Sequence, residues 1–186
     1  MPRIVAGGAK GRRIAVPAHG TRPTADRARE ALFNTLAGLV DLTGGSVLDL
    51  YAGSGAVGLE ALSRGAATAV FVESNAKAAA LASRNSETLA LGGAVVLRRT
   101  VEAFLDTGPG EGAPFRLVFA DPPYALAAGQ LRRMLTALTG PGWLASDAVL
   151  VVERSARESE PPWPDVIEAI KEKRYGEAIL WYGRRQ

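Results

Sequence analysis

Residues 117–125 read LVFADPPYA, an apolar run that ends in an acid, two prolines and an aromatic residue. The two prolines fix the backbone and remove two N–H donors, so the carbonyl groups of this turn stay outside any strand ladder. Asp121 adds a carboxylate, and Tyr124 adds a ring on which a planar group can stack. The turn therefore offers hydrogen-bond acceptors and an aromatic face in one fixed arrangement. The alternative interpretation is a rigid turn with only a structural role.

A second stretch, VLDLYAGSGAVG, has the chemistry of a nucleotide-type ligand site. Gly53, Gly55 and Gly58 match the G-x-G-x-x-G fingerprint, and Glu73 lies 20 residues past Gly53, where a carboxylate can bind ribose hydroxyls. NAD and S-adenosylmethionine (SAM) both present such a ribose diol. Asp49 favours SAM, because an acid before the glycine loop repels a pyrophosphate and attracts the ammonium group of a methionine moiety. The alternative role for Asp49 is to brace the loop or cap a helix.

The elements that must position these residues alternate along the chain from about Ser46. The apolar runs are continuous, as is typical of parallel strands that helices cover on both faces. Repeated βα units predict an open α/β sheet with right-handed crossovers. Strands are predicted at 46–50, 69–73, 94–99, 116–120 and 148–153, and helices at 55–65, 76–92, 100–105 and 127–138.

Both ends of the chain depart from this alternation. Residues 166–176 and 177–183 predict an antiparallel hairpin that closes the sheet, with a helix from Pro164 as the alternative for the first segment. Residues 3–16 predict a small glycine-turned hairpin, and an amphipathic helix is expected to open at Pro23-Thr24. We therefore expect a hairpin extension over residues 1–20 and a single domain over residues 21–186.

Composition excludes several kinds of site. The chain has 186 residues, enough for one domain, with no cysteine and one histidine, His19, in a loop-like segment. This excludes a disulfide framework, a cysteine nucleophile, an iron–sulfur cluster and a Cys/His zinc site, and we expect no metal. No apolar run reaches the ~18 residues of a membrane span, and the first residues lack a signal-peptide core. These features predict a cytoplasmic protein.

Positive charge is concentrated at the start of the chain. The first 30 residues hold seven basic residues against Asp26 and Glu30, a balance of +5, whereas the remainder has 15 basic and 17 acidic residues. This segregation is expected for a basic surface that contacts a polyanion. The candidates for phosphate contact are Lys10, Arg12, Arg13 and Arg22. The alternative is a solvated segment that contains several arginines.

Taken together, the segments DLYAGSG, EALSRGA, DPPY and TRPTADRAREALFN resemble the RsmD-type SAM-dependent methyltransferases. The similarity runs from Arg3 to the C-terminal hairpin. It implies a Rossmann-like class I methyltransferase fold, with a mostly parallel seven-stranded sheet that ends in an antiparallel hairpin and a small N-terminal hairpin extension. The family methylates the exocyclic N2 of a guanine in small-subunit (16S) ribosomal RNA. The implied partner is ribosomal RNA or a small-subunit assembly particle, and we expect a monomer with no membrane contact.

The resemblance also implies roles for particular residues. In the catalytic turn, Asp121 and the Pro122 carbonyl would accept hydrogen bonds from the amine, Pro123 would stiffen the corner and Tyr124 would stack on the base. SAM, released as S-adenosylhomocysteine, would be the only cofactor. Its expected contacts are Asp49, Tyr51, Ala52, Gly53, Ser54, Gly55, Glu73, Ser74, Thr100, Val101 and Asp121.

Other activities remain open at this stage. The DPPY tetrad is typical of amino-methyltransferases in general, so the acceptor could be an amino group on DNA or protein. The glycine fingerprint alone also fits an NAD-type oxidoreductase, although its pyrophosphate would face Asp49. Cysteine-dependent methylation chemistries are excluded because the chain has no cysteine.

Overall fold

A computed structural model of the chain describes residues 2–16 and 24–186, and for residues 24–26 it describes the backbone only. The helices within these residues are α1 (Thr24–Leu36), α2 (Ala56–Ser63), α3 (Ala76–Leu89), α4 (Val101–Leu105) and α5 (Ala128–Leu138). The strands are β1 (Ser46–Leu50), β2 (Thr68–Val72), β3 (Ala94–Leu97), β4 (Phe115–Ala120), β5 (Leu144–Ser155), β6 (Ile167–Tyr175) and β7 (Ala178–Arg185). None of the described helices is long and apolar enough to cross a membrane.

The strands of the described chain form one sheet in the order β3-β2-β1-β4-β5-β7-β6. Strands β1 to β5 pair in parallel, and β7 runs antiparallel to both β5 and β6. The predicted α/β fold with a closing antiparallel hairpin is confirmed. The register sets Leu50 opposite both Val72 and Ala120. The carboxyl ends of β1, β2 and β4 therefore lie side by side.

The sheet is buried on both faces, which explains its continuous apolar runs. Val47 and Leu117 belong to a core with residues of α1 and α2 on one face. Leu48 and Val118 belong to a second core with residues of α4 and α5 on the other. Adjacent strand residues point to opposite faces, so both members of each pair must be apolar.

Several predicted boundaries were wrong for identifiable reasons. Strand β5 begins at Leu144, four residues earlier than predicted, and passes through Asp147 in a left-handed conformation where its pairing with β4 is irregular. Helix α3 ends at Leu89 because Ala90 adopts a left-handed conformation as its C-cap. The segment 167–175 is a strand, so the alternative helix from Pro164 is excluded.

The N-terminal segment forms a hairpin that is packed against the domain. Arg3 and Arg13 form an isolated antiparallel bridge, and Ile4 and Ile14 are buried in the same core as α1. At the turn, Gly7 lies so close to α2 that a Cβ there would be 1.7 Å from the Ser63 carbonyl oxygen. Only glycine fits this contact, so the hairpin docks through its backbone.

Candidate active site

Three carboxylates gather at the carboxyl edge of the sheet. Asp49 is the fourth residue of β1, Glu73 directly follows β2, and Asp121 directly follows β4. The charges of Asp121 and Glu73 both act on Asp49 and raise its pKa. The sequence predicted all three residues as ligand contacts, and the fold places Asp121 and Glu73 close enough to Asp49 to interact with it electrostatically.

The glycine bend connects β1 to α2 within this edge. Gly53 and Gly55 have positive φ values of 56° and 80°, and Tyr51 between strand and bend has a φ of 59°. A Cβ on Gly58 would lie 2.3 Å from Cε1 of Phe71, so the third glycine permits α2 to pack closely on β2. A left-handed conformation at a tyrosine is unfavourable, and such strain is concentrated at ligand sites.

Glu73 fixes the position of the bend. Its Oε2 accepts a hydrogen bond from the Gly53 N–H at 2.9 Å, and its Oε1 accepts one from the Asn75 N–H at 2.7 Å. Asn75 in turn caps α3 by accepting from the Lys77 and Ala78 N–H groups, while Ser74 between the two is exposed. Each carboxylate oxygen keeps acceptor capacity for a further donor such as a ribose hydroxyl.

Asp49 is only 2% exposed, and its Oδ2 accepts the Gly58 N–H at 2.9 Å. Burial raises the pKa of Asp49 to about 8, the Gly58 hydrogen bond opposes this, and the charges of Asp121 and Glu73 add to it. The alternative bracing role is therefore present in the structure. A site with three carboxylates repels a pyrophosphate and suits a cationic ligand, which argues against NAD.

The remaining predicted cofactor contacts lie around this centre. The Tyr51 hydroxyl lies 3.9 Å from the sulfur of Met134, and burial raises its pKa to about 12. The Ala52 N–H is bonded to the Val72 carbonyl. The Thr100 hydroxyl caps α4 by accepting the Ala103 N–H at 3.2 Å, and the Val101 side chain is buried in the core. The side chains of Tyr51, Thr100 and Val101 thus have structural partners, and the Ala52 N–H is occupied as well.

The DPPY turn lies beside the glycine bend because β4 is paired with β1. The Asp121 N–H donates to the Leu50 carbonyl at 3.4 Å, and Asp121 is exposed whereas Pro122 is buried. Tyr124 is 53% exposed, although a large aromatic ring is usually covered. It lines a cleft of about 170 Å³ together with Ser155, Arg157 and Glu177.

Asn85 is a site residue that the sequence analysis missed. Its Oδ1 accepts the Ala15 N–H, and its Nδ2 donates to the carbonyls of Ala15 and Ser54, each at 2.9 Å. It therefore ties the glycine bend to the end of the N-terminal hairpin. The available signal was an amide on the buried stripe of α3, alongside Ala79 and Ala82.

The predicted phosphate contacts differ in their surroundings. Lys10 and Arg13 are exposed. The Arg12 guanidinium donates to the Thr88 and Leu89 carbonyls at the end of α3, so it anchors the hairpin. Arg22 and His19 lie outside the described residues.

Arg29 lies on α1 and is one of the basic residues at the start of the chain. It is buried, it donates to the Arg3 carbonyl, and its Nε lies 3.7 Å from the Glu60 carboxylate. This position links helix α1 to the hairpin and to α2. Phe33 is 1% exposed and lies in the core under the Arg64 guanidinium.

Comparison with known proteins agrees with this architecture. The chain is 38% identical to the solved Escherichia coli protein yhhF, with a TM-score of 0.85 over 99% of this chain and 97% of that one. A Thermus thermophilus 16S rRNA N2 G1207 methyltransferase, solved with AdoMet and guanosine, is 21% identical, with a TM-score of 0.62 over 91% of this chain and 44% of that one. That second likeness shows the fold alone, which is the class I SAM methyltransferase fold.

Sequence comparison identifies the family. The model for Conserved hypothetical protein 95 matches residues 2–184. The Escherichia coli (strain K12) Ribosomal RNA small subunit methyltransferase D is 39% identical over 185 residues, which cover 99% of this chain and 90% of that protein. The chain therefore belongs to this family, and the resemblance to RsmD-type methyltransferases is confirmed.

Proposed function

We propose that this protein transfers a methyl group from SAM to the exocyclic N2 of a guanine in small-subunit ribosomal RNA. The observation that carries the proposal is the position of the DPPY turn next to the glycine bend, joined to it through the Asp121–Leu50 backbone contact. The relative from Escherichia coli is named a small-subunit rRNA methyltransferase, and the Thermus thermophilus fold relative is named for N2 of a guanine.

The acidic edge fits SAM. When bound, SAM supplies an electrophilic methyl group on a positively charged sulfonium. Glu73 would bind the ribose hydroxyls, because its carboxylate is already held at the bend by Gly53 and Asn75. Asp49 would bind the α-ammonium group, which recovers part of the cost of burying a carboxylate. The backbone of the bend, at Ala52 to Gly55, would contact the methionine moiety.

The DPPY turn would prepare the acceptor nitrogen. The lone pair of an exocyclic amine is delocalised into the ring, which makes the amine a weak nucleophile. Acceptors on both of its N–H bonds favour a tetrahedral nitrogen with a localised lone pair. The Asp121 carboxylate would accept one N–H, and the Pro122 carbonyl would accept the other, since no donor within residues 2–16 and 24–186 is bonded to that carbonyl. These groups act by positioning and electrostatics, and the product ammonium loses its proton to Asp121 or water.

The cleft beside Tyr124 would receive the base. Tyr124 exposes its ring, and stacking on such a ring contributes about 1–3 kcal/mol per base. The Glu177 carboxylate is an acceptor suited to the N1–H of guanine, and the Arg157 guanidinium suits a neighbouring phosphate. A base paired within a helix could not enter this cleft, so the target would be unpaired or flipped out.

The test is transfer of labelled methyl from SAM to ribosomal particles from a strain that lacks this protein, followed by mapping of the modified base. We expect one labelled guanine that carries the methyl group at N2. The variant Asp121→Ala should lose at least about 10²-fold in turnover with nearly unchanged SAM affinity, because it removes one acceptor of the amine. Glu73→Ala should mainly weaken SAM binding. Asp165→Ala, which removes an exposed acid at the start of the hairpin β6–β7, is the matched control.

Three results would contradict the proposal. Turnover retained in Asp121→Ala would remove this residue from the reaction. Label on protein or DNA in place of rRNA would indicate another amino acceptor. Thermal stabilisation by NAD, but not by SAM or S-adenosylhomocysteine, would favour an oxidoreductase.

A further inference from the structure

Arg154, near the end of β5, is a buried cation whose side chain reaches the DPPY turn. It is 3% exposed. Its Nη1 donates to the Pro123 carbonyl at 3.2 Å, and its Nη2 donates to the Leu126 carbonyl at 3.2 Å. Its Nε and Nη2 also donate to Oε2 of Glu158, at 2.8 and 2.5 Å. One guanidinium thus links the turn, strand β5 and the segment that follows β5.

The turn has few other ways to be held. Pro122 and Pro123 have no N–H, so this corner can be fixed only through its carbonyl groups and neighbouring amides. At the end of the turn, the Leu126 N–H donates to the Pro123 carbonyl at 2.8 Å. At its start, the Asp121 N–H donates to the Leu50 carbonyl at the longer distance of 3.4 Å. Arg154 therefore supplies two of the described hydrogen bonds that set the shape of the turn between these points.

Arg154 also determines which carbonyl is left to bind a substrate. It occupies the Pro123 and Leu126 carbonyls, whereas the Pro122 carbonyl has no partner among residues 2–16 and 24–186. We propose that Arg154 is a positioning residue for methyl transfer: it holds the turn so that the Pro122 carbonyl and Asp121 face the acceptor amine together. This inference rests on the proposed function.

The chemistry of the side chain explains why arginine occupies this site. The planar guanidinium presents several donors in a rigid fork, so it can bond two carbonyls and a carboxylate at once, whereas a lysine ammonium is a point charge on a flexible stem. Glu158 compensates the buried positive charge. Because misplacing a catalytic group by about 1 Å can cost about 10²-fold in rate, loss of the fork should affect turnover far more than ligand binding.

The test compares Arg154→Met and Arg154→Lys with wild type in the rRNA methyl-transfer assay. We expect kcat to fall about 10²-fold in Arg154→Met and less in Arg154→Lys, with affinities for S-adenosylhomocysteine and RNA within threefold of wild type. Arg184→Met is the matched control, since Arg184 of β7 also donates to a backbone carbonyl, that of Leu39, at 3.0 Å and is paired with Val149, five residues before Arg154 on β5. It should retain wild-type kcat.

A second measurement does not depend on activity. Hydrogen exchange of residues 124–127 should be at least tenfold faster in Arg154→Met and unchanged in Arg184→Met, since the Leu126 N–H is part of the turn. Wild-type kcat in Arg154→Met, unchanged exchange of the turn, or equal losses of kcat and S-adenosylhomocysteine affinity would each overturn the inference. An inactive wild type would instead contradict the proposed function, and the exchange result would still decide whether Arg154 holds the turn.

Discussion

At the scale of single residues, the unusual property of the site is a buried acid that lies close to two other acids. Asp49 is buried without a basic partner among the described residues, and its pKa is raised to about 8 mainly by burial. The ionised form of a buried acid with neighbouring acids is unfavourable unless a cation binds there, so Asp49 keeps its proton in the free protein at neutral pH. The cost of this arrangement is expected to be recovered when the ammonium group of the ligand arrives.

Ligand binding is expected to remove the proton from Asp49. At pH 7 Asp49 is mostly protonated in the free protein, and the ammonium favours its ionised form, so S-adenosylhomocysteine binding should release close to one proton, about 0.9. Calorimetry in buffers of different ionisation enthalpy measures this number. Asp49→Asn should release none and bind more weakly.

The raised pKa of Asp49 should also make the stability of the free protein depend on pH. The folded pKa lies above the unfolded value of about 3.9, so the folded state holds more protons and its stability should decrease as pH rises from about 4 to 8. Urea unfolding at several pH values should show this decrease in wild type, and Asp49→Asn should reduce it. A flat difference between the two proteins would show that Asp49 is ionised throughout.

Tyr124 is the basis of a third prediction at the scale of single residues. Because its exposed ring is expected to stack on the base, Tyr124→Ala should raise the KM for RNA by about 5- to 150-fold, equivalent to about 1–3 kcal/mol, with little change in SAM affinity. Tyr124→Phe keeps the ring and should be close to wild type. Equal activity of the alanine and phenylalanine variants would exclude stacking. Steady-state kinetics with RNA as the varied substrate distinguishes these outcomes.

At the scale of elements, the N-terminal hairpin is held by one acid of α2. Glu60 is fully buried, and its carboxylate accepts the Val5 and Ala6 N–H groups at 2.8 and 3.0 Å. It also pairs with Arg64 at 2.8 Å and lies 3.7 Å from Nε of Arg29. Through Asn85, the same hairpin contacts the glycine bend. The hairpin is thus connected both to the core and to the glycine bend.

Glu60→Ala should therefore release the hairpin and destabilise the fold. The variant removes the acceptor of two backbone N–H groups and the carboxylate beside the buried Arg29 guanidinium. We therefore expect the free energy of unfolding to fall by about 3–5 kcal/mol. Urea unfolding measures the loss, and hydrogen exchange should show it first in residues 4–14. Glu30→Ala, an exposed acid on α1, should change stability by less than about 0.5 kcal/mol. A similar small change in Glu60→Ala would contradict this role.

The order of the elements could be read from the sequence because it is encoded locally. Continuous apolar runs predicted the parallel strands, and glycine spacing with Asp49 and Glu73 predicted the ligand edge. Arg154, Glu60 and Asn85 could not be assigned in the same way. The partners that define their roles, in the hairpin and in the DPPY turn, lie 28 to 70 residues away in the chain, and each of the three is an ordinary helix or strand residue in its local context. The left-handed conformations of Ala90 and Asp147, which changed two boundaries, likewise have no local signature.

At the scale of the whole molecule, charge is divided between two regions. Carboxylates line the sheet edge, whereas basic residues are concentrated at the start of the chain. The acidic edge suits a cationic cofactor, and the basic hairpin suits the phosphates of RNA. Under the proposed function, we expect this division to direct a polyanion to the hairpin and away from the acidic edge.

The salt dependence of RNA binding tests this division. Each phosphate contact contributes about 0.7–0.9 to the slope of log K against log salt, so the double variant Lys10→Ala/Arg13→Ala should lower the slope by about 1.5. Arg12→Ala should act differently, by loosening the hairpin from the end of α3. Fluorescence anisotropy with a labelled rRNA fragment measures the slopes. An unchanged slope in the double variant would remove the hairpin from the RNA interface.

The strand order has a consequence for how the protein is made. Strand β7 lies between β5 and β6, although it is the last of the three to be synthesised. A nascent chain that has emerged only as far as β6 has no neighbour for that strand, and β5 has an open edge. The sheet can close only after residues 178–185 have left the ribosomal exit tunnel. An enzyme whose proposed target is ribosomal RNA would thus complete its own sheet only after β7 has followed β6 off the ribosome.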